Sequence, residues 1–255
     1  MQSLAHATLA LVTLAAPAAL VSTLALGLAL GAGCGGDTKP PVTDDGPPSG
    51  GDGSPTIDTP AGTSFSFFIS STGGPSGGDF RRTPADTDGL AGADEFCRMK
   101  AVAAVPASGS KTWRAYLSTA TVNARDRIGA GPWFNRNGVM VASSLANLHD
   151  AAGNNLNKTT SIDENGATVP GKGDTPNQHD IITGSTAAGL SAATHCNNWT
   201  SSAATGVTAQ TGHHDRDGGG ADPTSWNSAH ATSGCSAAAF VGTGGRGSIY
   251  CFAAN

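Results

Sequence analysis

The densest grouping of side chains able to do chemistry is Gly212-His213-His214-Asp215-Arg216-Asp217-Gly218-Gly219-Gly220-Ala221-Asp222. Asp215, Asp217 and Asp222 around a glycine run offer the hard oxygen ligands that Ca2+ prefers, whereas His213 or His214 with an Asp would suit Zn2+. Spacing chooses neither ion. The plainer expectation is a solvated loop, in which Asp and His bond their own backbone and glycine supplies positive φ. Just downstream, Trp226-Asn227-Ser228-Ala229-His230 adds Asn227 and His230 as candidate ligands. Trp226 and Trp199 themselves read as core residues rather than sugar platforms.

Catalysis finds less support. A nucleophilic or metal-hydrolytic enzyme needs its base beside its nucleophile, and the chain has no GxSxG or HExxH. Ser, His and Asp are plentiful, which is why a triad assembled from them would carry no weight. The chain reads as non-enzymatic. Of its five cysteines, Cys34 stands apart at the end of an apolar run, leaving Cys97, Cys196, Cys235 and Cys251. An even number without CxxC pairs points to two disulfides rather than a thiolate zinc site, and residue order alone allows three connectivities.

The elements that must hold these groups are short. Ser64 to Ser70 alternates Phe65, Phe67 and Ile69, as a strand with one apolar face would. Asp88 can cap a helix whose stripe is Leu90, Ala93, Cys97, Ala101 and Ala104, ended by Pro106. Thr112 to Ser118 alternates Trp113, Ala115 and Leu117. Trp133-Phe134-Asn135-Arg136-Asn137-Gly138 carries an Asn-Gly turn before Val139 to Ala142, which predicts a hairpin. Ile249 to Phe252 is a last short strand. With 36 glycines and 5% aromatic residues, an α+β, loop-rich domain over residues 63–255 is expected.

Two of these stretches resemble a known family. Gly89-Leu90-Ala91-Gly92-Ala93-Asp94-x-x-Cys97 followed by Trp113-Arg114-Ala115-Tyr116-Leu117-Ser118 is similar to the start of the endostatin domain of collagens. His195-Cys196-Asn197-Asn198-Trp199-Thr200, then Ala204-Thr205-Gly206, Cys235 and Cys251, resembles its closing segment. The GADxxC helix and CNNWTS stretch are also similar to the endostatin-like lipoproteins of spirochaetes. The resemblance implies an endostatin-like variant of the C-type lectin fold, with Cys97 bonded to Cys251 and Cys196 to Cys235. It does not carry endostatin's activities across, because Thr63 to Phe80 lacks the histidines of its zinc site and no arginine cluster stands in for its heparin face. Nor does it carry calcium-dependent sugar binding. Ser228 replaces the acid of the lectins' Trp-Asn-Asp motif, and no Glu-Pro-Asn or Gln-Pro-Asp triplet is present.

Leu4 to Ala32 holds no Lys, Arg, Asp or Glu and runs into Leu30-Gly31-Ala32-Gly33-Cys34, similar to a bacterial lipoprotein signal over residues 1–33 with Cys34 as the lipidated residue. Residues 34–62, rich in Gly, Pro and Asp, read as a disordered tether. Five of the chain's 19 acidic residues and one of its 14 basic residues lie in 35–62, so the rest is near balance and lacks the basic face that nucleic acid requires. The expectation is an exported lipoprotein of the cell envelope, in the outer membrane, anchored through its lipid and displaying a binding module for an extracellular protein or glycan. A metal-dependent carbohydrate-binding lectin and a purely structural envelope lipoprotein are the competing readings.

Overall fold

The computed structural model describes residues 64–255. The expected signal segment, Cys34 and the tether lie outside them. Among the described residues no helix is long and apolar enough to cross a membrane.

The organising element is the last strand. Strand β1 (Phe67–Ile69), helix α1 (Leu90–Ala104), strand β2 (Trp113–Ala115) and the final strand, Tyr250–Ala253, form one packing unit. The final strand is the centre of an antiparallel sheet, with Phe67 opposite Phe252 on one side and Ala115 opposite Cys251 on the other. Its side chains alternate between two buried clusters, as the two-residue period of a strand requires. Cys251 and Ala253 face α1 with Phe68, Ala93, Cys97, Trp113 and Leu117. Tyr250 and Phe252 face the loop-rich side with Phe67, Tyr116, Trp133, Ile181 and Trp226.

The α1 stripe is as expected at Leu90, Ala93, Cys97 and Ala101, which are buried, while Ala104 is half-buried. The Asp88 carboxylate accepts from the Leu90 N–H at 2.9 Å, and Val105, held extended before Pro106, ends the helix. The stripe omitted Asp94, which is also buried. Its carboxylate takes two hydrogen bonds from Arg127 at 2.7 and 2.8 Å and one from the Ala115 N–H, pinning α1 to β2.

The first strand departs from its expected alternation. Phe67 and Ile69 share a face, but Phe65 packs with Phe68 on the other, their ring centroids 5.6 Å apart. Ser66 is the cause: its N–H donates to the Phe134 carbonyl, its hydroxyl accepts from the Phe134 N–H, and its carbonyl accepts from Ala253. These three bonds turn the chain before the regular strand starts. The expected hairpin is present as β3 (Trp133–Phe134) and β4 (Met140–Ala142), with Trp133 buried and its indole N–H donating to the Ala253 carbonyl at 3.0 Å. A four-residue helix α2 (Leu145–Leu148) follows, capped by the Ser144 hydroxyl.

The disulfides are Cys97–Cys251 and Cys196–Cys235, the pairing that the resemblance implied. They close 154 and 39 residues of chain, each worth roughly 2–5 kcal/mol. Such bridges belong to an oxidising compartment outside the cytoplasm. Cys196, Asn197, Asn198 and Trp199 form a left-handed turn with φ between 47° and 62°. Its strain is offset by burial of Trp199, whose indole donates to the Ser118 carbonyl at 2.7 Å.

A second antiparallel sheet comprises β5 (Asp180–Ile182), β6 (Gln210–His213) and β7 (His230–Ala231), in that order. Helix α3 (Ala237–Thr243) leads from it to the final strand, which completes the set as β8.

Candidate metal centre

The register of the second sheet brings the chemistry together. Asp180 on β5 stands directly opposite His213 on β6, and Thr211 stands opposite His230 on β7. Asp180 and His213 therefore share a face, and His230 is the diagonal neighbour two residues from His213 along that face. The outcome is a triangle of ligand atoms. His213 Nε2 lies 3.2 Å from Asp180 Oδ1, His230 Nε2 lies 3.5 Å from the same oxygen, and the two nitrogens are 3.0 Å apart. His179 Nε2 also lies 3.3 Å from that oxygen.

Protons decide what this cluster is. His213 Nδ1–H donates to the Pro223 carbonyl at 2.7 Å, His179 Nδ1–H to the Asp217 carbonyl at 2.9 Å, and His230 Nδ1–H to the Ala231 carbonyl at 3.2 Å. Carbonyl oxygens only accept, so each neutral ring keeps its proton on Nδ1 and turns a bare lone pair inward at Nε2. The group they face is an acceptor as well. Burial opposes ionisation of Asp180, but His213 and His230 outweigh it and hold its carboxyl below the usual range. Neither Asp180 oxygen accepts a hydrogen bond among the described residues. Converging on a buried carboxylate, these lone pairs call for positive charge between them, supplied either by a proton, which the raised pKa of His230 reflects, or by a metal cation.

The spacing fits a small one. A tetrahedral zinc with ligands at about 2.0–2.2 Å separates them by roughly 3.3–3.5 Å, close to the edges of this triangle. Imidazole nitrogen with one carboxylate suits a zinc-class ion and is far from the six to eight oxygens of Ca2+. The carbonyls that hold each Nδ1 are the outer partners that fix the tautomer of a metal-binding histidine. His179 stands differently. Its ring is stacked on His213, with centroids 4.3 Å apart and planes within 10°. Lone pairs in near-parallel planes do not meet at one point, so His179 borders the triangle rather than joining His213 on one ion. Its pKa is pulled down by burial and more strongly up by the Asp215 and Asp180 carboxylates, leaving it raised; that of His230 is raised by Asp180.

Of the residues singled out from the sequence, His213 and His230 enter the centre. The solvated-loop expectation fails for His213, the last residue of β6, and for His214 in the turn after it, both 0% exposed. His214 falls on the opposite side of the chain from His213, where its Nε2 contacts the Pro170 carbonyl at 3.2 Å. The calcium expectation fails too, because Asp215, Asp217 and Asp222 do not converge. Asp215 Oδ1 supports His179 Nδ1 at 3.4 Å while its Oδ2 accepts from the Lys172 N–H, and Asp217 pairs with the Lys172 ammonium at 2.9 Å. Asp222 is exposed. Asn227 is a core tie rather than a ligand: buried, it donates to the Tyr116 hydroxyl and to the Thr186 and Ala187 carbonyls.

His179 and Asp180 were missed from the sequence. They lie more than 30 residues before the glycine-rich cluster, and their only local signal is a His-Asp pair leading into Ile181-Ile182. Gly218 shows how closely the loop covers the centre, since a Cβ there would fall 2.1 Å from His213 Cε1. A surface groove of about 690 Å³ lies elsewhere, along α1 and β2, where Arg98 and Arg114 are already paired with Glu95 and Asp94. No protein-family model matches the chain, and no curated protein does.

Proposed function

We propose that this chain is an exported, lipid-anchored and non-catalytic binding module, built on an endostatin-like variant of the C-type lectin fold. A zinc-class ion at Asp180, His213 and His230 pins the loops that meet its extracellular protein or glycan partner. The carrying observation is the meeting of two imidazole lone pairs and a buried carboxylate oxygen at 3.0–3.5 Å, each ring's proton being held elsewhere. The ion ties β5, β6 and β7 together and closes the segment between His213 and His230, which the disulfides leave long and irregular. Long loops on a rigid scaffold are where recognition usually resides. Oxidised cysteines support export, and the apolar run ending in Cys34 supports the lipid anchor.

The test is calorimetric titration of the chelator-treated protein with Zn2+ and with Ca2+, beside Asp180→Asn and His230→Ala. One equivalent of Zn2+ bound by the parent, lost in both variants and without a Ca2+ counterpart, is the expected result. Absence of Zn2+ heat, or equal Zn2+ binding by all three proteins, would refute the reading.

A further inference from the structure

His149, just past α2, is held in one protonation state by its neighbours. Its Nδ1–H donates to the Leu145 carbonyl at 2.9 Å, so Nε2 is bare and accepts from the Tyr116 O–H at 2.7 Å. The Tyr116 oxygen in turn accepts from the Asn227 amide at 2.9 Å, and that amide also donates to the Thr186 and Ala187 carbonyls at 3.1 and 3.2 Å. These carbonyls belong to a loop, residues 186–190, closed at its base by the pairing of Ser185 with Ser191. Gly189, at φ +76°, lets the loop lie directly on the pair: a Cβ there would fall 2.4 Å from His149 Nε2 and 2.7 Å from the Tyr116 oxygen. Arg125 ties the same loop down, its N–H donating to the Gly189 carbonyl and its guanidinium to the Ala188 carbonyl at 2.9 Å. A cavity of about 50 Å³ bounded by His149, Ala187 and Trp226 gives water room beside the imidazole.

Protonation of His149 is incompatible with this arrangement. An imidazolium carries N–H at both nitrogens, so Nε2 must donate where it now accepts. The Tyr116 oxygen would then receive two donors, and its own hydrogen would need another acceptor. The Thr186 and Ala187 carbonyls and the Ser185 hydroxyl are the acceptors grouped there; all belong to the loop or its base, and all are already engaged. The new positive charge also repels Arg125, the second anchor of the loop. Burial and Arg125 hold the His149 pKa down against the Leu145 carbonyl and Asp126, while Arg216 and Asp222, of opposite charge, face it across the cavity. We propose that the 186–190 loop is an acid-released lid: neutral His149 latches it through Tyr116 and Asn227, and protonation lets it lift from the Tyr116 and Trp226 rings. The surface offered to a partner then differs between neutral and acidic surroundings. The device does not involve the ion.

Linkage sets the size of the effect. With the loop lifted, His149 titrates near the ordinary 6.5; with the loop closed it titrates lower, so closure is fully favoured above that value and weakens as pH falls below it. Between pH 7.5 and 5.5 the opening equilibrium rises about tenfold. Amide hydrogen exchange, corrected for the intrinsic pH dependence of its rate, reads this at Gly189 and Leu190, whose N–H groups bond to Thr186. NMR titration of the His149 ring in the same protein supplies the midpoint. The expected result is a loss of protection that follows the His149 titration and disappears in His149→Gln, whose amide oxygen can go on accepting from Tyr116. Unchanged protection in the parent would overturn the inference. So would an equal loss in parent and variant, which would assign the effect to other histidines. Should the variant not fold, the parent alone decides: a midpoint for loss of protection that departs from that of His149 overturns the lid, and coincidence of the two supports it.

Discussion

Asp180→Asn should have opposite effects on the metal-free and metal-loaded protein. In the metal-free protein the Asp180 carboxylate is 2% exposed, accepts no hydrogen bond among the described residues and faces three nitrogen lone pairs. Asparagine keeps the shape, removes the buried charge and presents an N–H donor to those lone pairs. At a pH above the raised range of His179 and His230, where their rings are neutral and no imidazolium pairs with Asp180, relieving one such unsatisfied group is worth about 1–3 kcal/mol, so there the metal-free variant is expected to be the more stable of the two. Zinc reverses the order. At a free concentration a hundred times Kd, an ion that binds only the folded state stabilises it by about 2.7 kcal/mol, which for a domain of this size raises Tm by roughly 5–10 °C. The variant loses its anionic ligand and should gain little. Thermal unfolding with chelator and then with excess Zn2+ reads all four values, and the two curves should cross. Equal destabilisation of the variant under both conditions would show that Asp180 is a structural carboxylate satisfied in some other way, and would refute the argument.

Further outcomes follow from the same geometry. Gly218→Ala should weaken Zn2+ binding in calorimetry at least tenfold, because the new Cβ would fall 2.1 Å from the His213 ring. Removing the Cys196–Cys235 bridge, which closes 39 residues, should lower stability in urea unfolding by about 4 kcal/mol and release the left-handed turn at Cys196. Arg127→Met removes two of the hydrogen bonds to buried Asp94 but leaves it the Arg114 guanidinium and the Ala115 N–H, and should cost about 1–3 kcal/mol by the same measurement. Burial lowers the pKa of His149, which contacts the Tyr116 hydroxyl at 2.7 Å. The folded state then binds its proton less readily than the unfolded chain. Its contribution is present above the ordinary histidine pKa and is lost as pH falls below it, so the urea midpoint should drop between pH 7.5 and 5.5 by less in His149→Gln than in the parent.

Local pattern was enough for some of this structure. The two-residue alternation of Trp113, Ala115 and Leu117, the α1 stripe and the Asn137-Gly138 hairpin are all present, since each depends on neighbours within a few residues. Phe65 was misread because its face is set by Ser66 bonding to Phe134, 68 residues away. The metal centre was half legible for the same reason. His213 and His230 drew notice through their polar neighbourhood, but Asp180 reaches His213 only through the β5–β6 register, which no short window contains. The glycine-rich Asp cluster was a misleading signal: its exposed members, Asp217 and Asp222, serve Lys172 and solvent, while His213 at the end of β6 and His214 and the Asp215 carboxylate just past it turn into the interior.

The central place of β8 has a kinetic consequence. Its partners are residues 67–69 and 113–115, more than 130 positions away in the chain, and one of the two disulfides anchors the same strand to α1. Neither flanking strand has a sheet to join until β8 arrives, so the larger sheet assembles late and in one step, after a costly closure of long loops. Until then the phenylalanines of β1 and the stripe of α1 remain uncovered. Slow folding with a prolonged need for protection from aggregation is built into the topology.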